Sequence, residues 1–231
     1  MEEFISKKAV IRGKVLKPAV ILGRTIVGDY TIIDRFVYIG YPVRGKLMEF
    51  RDKGVDLDEV SDGAKIGSRC IVRSHSIIYE NVEIGDGVEI GHGVLIREGS
   101  KIGDNSSIGS FSQLDGKVEL GSNVNIQSNV YLPHLTKIGD GVFIGPGTIV
   151  TNDLYPVSRR LVGVRIEDEA VIGAGVILRA GVEIGRRAVV AAGAIVTRNV
   201  PAEAVVVGAP ARIAMNRREY EAKKRLYEEH G

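Results

Sequence analysis

His134 and Asn152 stand eighteen residues apart, Asp153 follows directly, and Glu80, Glu98 and Gly116 precede them at the same interval. An imidazole, an amide and carboxylates on one line suit proton transfer at a bound amine. The histidine can accept the proton, the amide can orient the acceptor, and a carboxylate can hold the imidazole or an ammonium. Whether these side chains meet depends on the elements that carry them, and the interval of eighteen is built from a shorter one.

Aliphatic residues recur every six positions: Ile66, Val72, Ile78, Ile84, Ile90, Ile96, Ile102, Ile108, Leu114, Leu120, Ile126, Leu132, Ile138, Ile144 and Val150. Six is a multiple of the strand period of two and does not fit a helical period of 3.6. Two residues before each aliphatic stands a smaller one, such as Cys70, Ser76, Val82, Ser106 or Thr148, so both positions point inward. The residue after the aliphatic is often glycine, as at Gly67, Gly85, Gly103 and Gly145, which lets the backbone turn a corner, sometimes at positive φ. Each hexad is a short strand and a turn. Three hexads close one triangular coil, and coils stack about 4.8 Å apart. Positions eighteen apart then form columns, which makes His134 and Asn152 vertical neighbours.

The pattern resumes at Ile166, Ile172, Leu178, Ile184, Val190 and Val196, and a looser form opens the chain around Ile11, Leu16, Leu22, Val27, Ile33 and Ile39. It breaks over about 41–63 and 151–165. The expected organisation is an all-β prism over 1–213 with excursions at those two stretches, then a charged C-terminal helix over 214–231. The interior is filled by aliphatic side chains, so a small-molecule site must lie outside, where a long loop leaves the prism. The loop after Val150 is the best candidate, and it departs at the His134 column.

Bulk properties exclude several classes. A net charge of +2 over 231 residues argues against a nucleic-acid or membrane surface. No apolar run approaches the roughly 20 residues of a membrane helix. The opening Met1-Glu2-Glu3-Phe4 has no signal-peptide character, which points to the cytoplasm. The single Cys70 allows no internal disulfide and no cysteine metal cluster, and as a small inward residue it reads as core filler. His92 follows Ile90-Gly91 at a corner and is weighed as a substrate contact against a plain surface histidine.

Several segments look like a known family. The run 138–147 (IGDGVFIGPG) followed by TNDLYP at 151–156 resembles the hexapeptide-repeat acyltransferases, whose fold is a left-handed parallel β-helix. GHGVLIRE (91–98), NIQSNVYLP (125–133) and TNDLYP are most similar to the branch that N-acetylates nucleotide-linked 3-amino sugars, and VVVGAPARI (205–213) resembles the end of the β-helix in most of these transferases. The resemblance implies a homotrimer with sites between neighbouring prisms and acetyl-CoA as co-substrate, with no metal. It places the pantetheine arm near Gly173-Ala174 and Ala191-Ala192, with Pro210 and Arg212 at the CoA phosphates. With the column read above, His134, Asn152 and Asp153 are the catalytic candidates, and Glu98, His92 and Tyr155 the expected substrate contacts; Asn152-Asp153 also resembles the amino-sugar branch.

The chain departs from the wider family at one point. Many hexapeptide acetyltransferases carry a histidine just before the loop proline, where this chain has Tyr155 before Pro156. His134 can serve as base instead, or the departing thiolate can collect the proton itself. A different acceptor, amine or hydroxyl, stays open, as do a γ-carbonic-anhydrase-like metalloprotein and a non-catalytic prism.

Overall fold

A computed structural model describes residues 3–49, 54 and 56–230. The chain winds into a triangular prism of three parallel sheets with ten, nine and eleven strands. Most strands are two residues long. In the first sheet Ile77–Tyr79 is followed by Leu95–Ile96, Gln113–Leu114, Tyr131–Leu132 and Ile149–Val150. The second holds Lys65–Ile66 through Glu183–Ile184, and the third holds Ile71–Val72 through Val189–Val190. Partners are eighteen apart through the central coils, as in Ile77↔Leu95, Glu83↔Lys101 and Glu89↔Ser107. The first coil is tighter, with Phe4 opposite Val20.

The hexad's residue choices follow from the stacking. The recurrent aliphatics are buried in one continuous core running the length of the prism. The small inward position tolerates serine because its hydroxyl is used by the next coil. Ser106 Oγ donates to Gly121 O (3.0 Å) and accepts from Val124 N (3.0 Å), and Ser112 does the same with Gln127 O and Val130 N. Each buried hydroxyl is thereby satisfied. Cys70 fills one such position with no exposure, and burial pushes its thiol above the ordinary value. The corner glycines differ from expectation. At Gly103 the φ is not positive; a Cβ there would come within 2.5 Å of the Gly121 backbone, so glycine permits close coil contact. The left-handed residue falls two places later, at Gly87, Asn105 or Asn123.

Both excursions leave from the same edge, where the chain passes from the first sheet to the second. The first follows Tyr38–Tyr41 and contains α1 (Arg44–Glu49) and α2 (Leu57–Val60) before Lys65–Ile66. Its two ends are tied down by Glu80, which is fully buried. One Glu80 oxygen accepts from Val43 N (2.9 Å), the other from Asp62 N (2.7 Å) and Lys46 Nζ (2.7 Å). Partial burial opposes the charge on Lys46, but hydrogen bonds to Asp62 and Glu80 hold its pKa above the usual lysine value. The second excursion runs from Thr151 to Val164 and is pinned by an antiparallel bridge between Asp153 and Leu161.

At the C-terminal end Ala204–Val207 pairs antiparallel with Arg212–Asn216, which covers the last edge of the third sheet. α3 (Arg217–Glu229) starts three residues later than composition suggests. Ala214–Asn216 extend the strand because Asn216 pairs with Ala204 and Met215 with Val205. Asn216 then caps α3 by accepting from Glu219 N at 2.9 Å. Among the described residues no helix is long and apolar enough to cross a membrane.

Candidate active site

The two excursions bracket four successive corners of one edge: 79–82, 97–100, 115–118 and 133–136. Asn152 stands at the mouth of the second excursion, directly beyond His134. Asn152 Nδ2 donates to the His134 carbonyl at 3.2 Å, so the amide grips the histidine backbone and leaves its ring free of that contact. The half-buried imidazole packs over Gly116, where a Cβ would lie 3.5 Å from His134 Nδ1. Gly116 adopts φ +87 and thus gives the ring both its seat and its corner.

Asp153 acts locally. Its Oδ1 accepts from Tyr155 N (3.0 Å) and Ser158 Oγ (2.7 Å), and its Oδ2 from Ser158 N (2.8 Å). The bond from the Ser158 backbone leads the effects that hold its carboxyl below the usual range. Asp153 is therefore engaged in shaping the loop, and the carboxylate expected to hold an imidazole or ammonium is committed elsewhere. Tyr155 is 78% exposed on the same loop. Glu80, which shares the column, is the buried clasp of the first excursion.

Glu98 takes part in a network one residue out of the anticipated column. Arg97 donates to Glu98 through Nε (3.2 Å) and Nη2 (2.9 Å), and to Asp115 through Nη1 (2.8 Å). Asp115 also accepts from Tyr131 Oη at 3.2 Å. The hydrogen bond to Asp115 is the largest cause raising the Arg97 pKa, and burial is the largest cause raising those of Tyr79 and Tyr131. The Arg97 guanidinium also lies 5.7 Å from the Tyr79 ring centre. Tyr79, Arg97 and Asp115 are themselves eighteen apart. Reading the period one position earlier would have exposed them.

The remaining candidates lie on another edge, between the third and first sheets. Gly173, Ala174, Ala191 and Ala192 all turn this corner. The turn Gly208–Ala211, which contains Pro210, continues it, with Ile195 N bonded to Gly208 O (3.1 Å) and Ala211 N to Ile195 O (2.8 Å). Three left-handed glycines on this edge, Gly147, Gly175 and Gly193, face open space, with no atom within 4 Å of where a Cβ would stand. The same place earlier on the edge holds Phe36, His75, Phe111 or Asn129, and at Gly93 the Phe111 ring fills the space a Cβ would take. The edge is thus bare from the coil of Asn152 to the C-terminal end. At the C-terminal end of the prism Arg212, beside that turn, and Arg198, which the strand register places on the His134 edge, are both exposed and flank a cleft of about 320 Å³ with Pro201, Val206, Ala211 and Ile213. His92 shares this edge four coils before Ala174, with Nδ1 2.9 Å from Ser74 Oγ. Within one chain the first sheet separates His92 from Glu98 and His134. Among the described residues, no three His, Cys, Asp or Glu side chains are grouped to hold a metal ion.

Comparison with known proteins is decisive for the family. Sequence profiles for the bacterial transferase hexapeptide (six repeats) match residues 63–98, 99–134 and 163–198, and the hexapeptide repeat of succinyl-transferase matches 136–180. Together they take in more than half of the chain. The protein belongs to the hexapeptide-repeat transferase family. Its prism is accordingly the left-handed parallel β-helix of that family. A 2,3,4,5-tetrahydropyridine-2,6-dicarboxylate N-acetyltransferase of Staphylococcus aureus is 37% identical over 87 residues, 38% of this chain and 36% of its own length. The chain thus spans about a third of the curated relatives it matches. Among solved structures, the Arabidopsis UDP-N-acetylglucosamine acyltransferase superposes with TM-score 0.64 at 15% identity, over 96% of this chain and 75% of that one. The Campylobacter jejuni UDP-N-acetylglucosamine acyltransferase gives 0.59 at 17%, over 89% and 74%. At these identities the likeness is one of fold.

Proposed function

We propose that this hexapeptide-repeat protein is an acetyl-CoA-dependent N-acyltransferase, working in the cytoplasm as a homotrimer, whose acceptor is the amine of a nucleotide-linked amino sugar. The observation that carries the reading is the half-buried His134 imidazole, seated on Gly116 beside the second excursion, on a prism whose other edge is bare from the same coil onward.

The faces supply the reason for an assembly. From Lys65 to Lys137 the second sheet's outward column alternates in charge, with ion pairs Lys65–Glu83 (3.3 Å) and Lys137–Glu119 (3.0 Å), and suits water. The first sheet's outward column exposes Phe4, Ile77, Ile149, Ile177 and Ile195. A largely apolar column of this kind, interrupted by the exposed Gln113, favours burial against another surface. Three prisms packed around an axis through their first sheets set the His134 edge of each copy against the bare glycine edge of the next. A pantetheine arm on the bare edge then delivers its thioester to the next copy's His134, and Arg212 at the end of that edge meets the CoA phosphates.

In this arrangement the neutral amine attacks the thioester carbonyl. The new C–N bond forms, the C–S bond breaks, and the amine's proton passes to His134, which returns it to the departing thiolate. A positioned base contributes typically 10²–10⁴-fold. Alignment of the two substrates contributes up to about 7–11 kcal/mol. Asn152 positions His134 through its backbone, and Asp153 sets the loop that excludes water. The test follows free thiol release from acetyl-CoA with a panel of nucleotide-linked amino sugars. Turnover with at least one of them, reduced 10²-fold or more in His134→Ala with the fold intact, supports the reading. No thiol release across the panel, or unchanged kinetics in both His134→Ala and Asn152→Ala, refutes it.

A further inference from the structure

Between the excursions lies a cavity that the transfer chemistry leaves unused. Tyr38, Tyr41, Tyr79, Ile77 and Leu57 of α2 line about 390 Å³, at the margin of the first-sheet face proposed above to meet neighbouring copies, to which Tyr38 and Ile77 also belong. Its walls are largely aromatic: the Tyr41 and Tyr79 ring centres are 5.2 Å apart, and Tyr38 stands edge-on to Tyr41 at 6.3 Å. A chain of contacts links the cavity wall to His134. Arg97 covers Tyr79, Asp115 holds Arg97, and Gly116, next to Asp115, seats the His134 ring.

We infer that this cavity binds the base of the acceptor's nucleoside, with the nucleotide pointing toward the N-terminal end of the prism. The inference rests on the transferase reading above and names which part of the acceptor lies where. Distance excludes the reacting sugar as occupant. Tyr79 lies three coils from the His134 level, about 14 Å along the edge. A single pyranose does not bridge that gap, whereas a ribosyl diphosphate between sugar and base has the required span. Ring chemistry agrees, since tyrosine faces and a leucine wall suit a flat, uncharged heterocycle.

The intervening edge can take the phosphates. Arg97 spends three of its five N–H groups on Glu98 and Asp115, which leaves two for a ligand. Lys117, on the corner between Arg97 and His134, is exposed and in no ion pair among the described residues. The two cations balance Glu98 and Asp115, so a diphosphate crosses a locally neutral stretch. The first excursion completes the site: Leu57 and Tyr41 come from it or its stem, and Glu80 clasps both of its ends.

Saturation-transfer NMR on the full chain, with uridine, UDP and methyl β-D-glucopyranoside as separate probes, tests the assignment. The pyrimidine protons of uridine and UDP should receive saturation, and methyl glucoside should not. Tyr79→Leu, which keeps an apolar core volume, should weaken both nucleotide probes about five- to hundredfold, the range one base–aromatic stack is worth. Lys117→Ala should weaken UDP but leave uridine unchanged. Absence of base saturation, equal binding in Tyr79→Leu, or binding of methyl glucoside that uridine displaces would each overturn the assignment. Loss of the oligomer in Tyr79→Leu would overturn it too, by making the tyrosines a subunit contact. Calorimetry with acetyl-CoA on the same proteins separates the two claims: normal acetyl-CoA binding without base binding sinks this pocket alone, and failure to bind acetyl-CoA sinks the transferase reading.

Discussion

Replacing Glu80 by alanine should release the first excursion without melting the prism. In the folded chain this buried carboxylate satisfies the Val43 and Asp62 backbone N–H groups and shares Lys46 with Asp62. Alanine leaves two amides without partners, each costing about 1–3 kcal/mol, and removes one of two charged contacts to Lys46. Lys46 keeps Asp62 at 2.7 Å, so that loss is partial. A local destabilisation of about 3–4 kcal/mol follows, which corresponds to opening of the segment a few hundredfold more often. Hydrogen–deuterium exchange read peptide by peptide is the assay, because stability in a repeat structure is distributed locally. The amides of Val43, Asp62 and the helices between should exchange about a hundredfold faster or more, while strands such as Gln113–Leu114 keep their protection. Glu80→Gln retains the shape and should show a smaller effect, since a neutral acceptor is weaker than a charged one. Unchanged exchange at Val43 and Asp62 in the alanine variant would refute the clasp, and equal acceleration throughout the prism would show that Glu80 supports the global fold instead.

Three further outcomes are expected. Gly175→Asn places a side chain that tolerates the left-handed backbone into open space, so thermal stability should stay within about 2 °C while acetyl-CoA affinity by calorimetry falls at least about tenfold. Ile177→Lys puts a charge on the apolar face of the first sheet and should convert trimer to monomer by light scattering at micromolar concentration, with the circular dichroism of the β-helix retained. Asp153 has a folded pKa below its ordinary value of 3.8, so its support of the loop is fully present above that value and is lost as pH falls through the lower folded value; the Ser158 amide resonance should shift only in that acidic window, and Asp153→Asn should abolish the shift.

The prism was legible because its cause is local and repeated. A buried aliphatic every sixth residue specifies a strand and a turn wherever it occurs, and the eighteen-residue register follows when three such units close. That register also brought His134 and Asn152 together. What it could not supply was the behaviour of segments outside the period. Tyr41 and Leu57 belong to or adjoin an excursion with no repeat, so their meeting with Tyr79 is a tertiary event. Glu80 looked like a site carboxylate by column, but the excursion's free amides claimed it. Asp153 was lost to the site for a similar reason, since Ser158 and Tyr155 lie only a few residues away and their groups reach it first. His92 lies across the first sheet from Glu98, a separation that one chain does not close.

Complementation between two inactive variants tests the shared site most directly. His134→Ala damages one edge and Gly175→Asn the other, and at acetyl-CoA concentrations well below the weakened affinity of Gly175→Asn each alone should turn over little. Unfolded together and reassembled one to one, random trimers should recover about a quarter of wild-type thiol release, since about one site in four then pairs an intact His134 edge with an intact glycine edge. Activity of the mixture no higher than that of the separate variants, with mixed trimers verified by mass, would contradict a site built between neighbouring prisms.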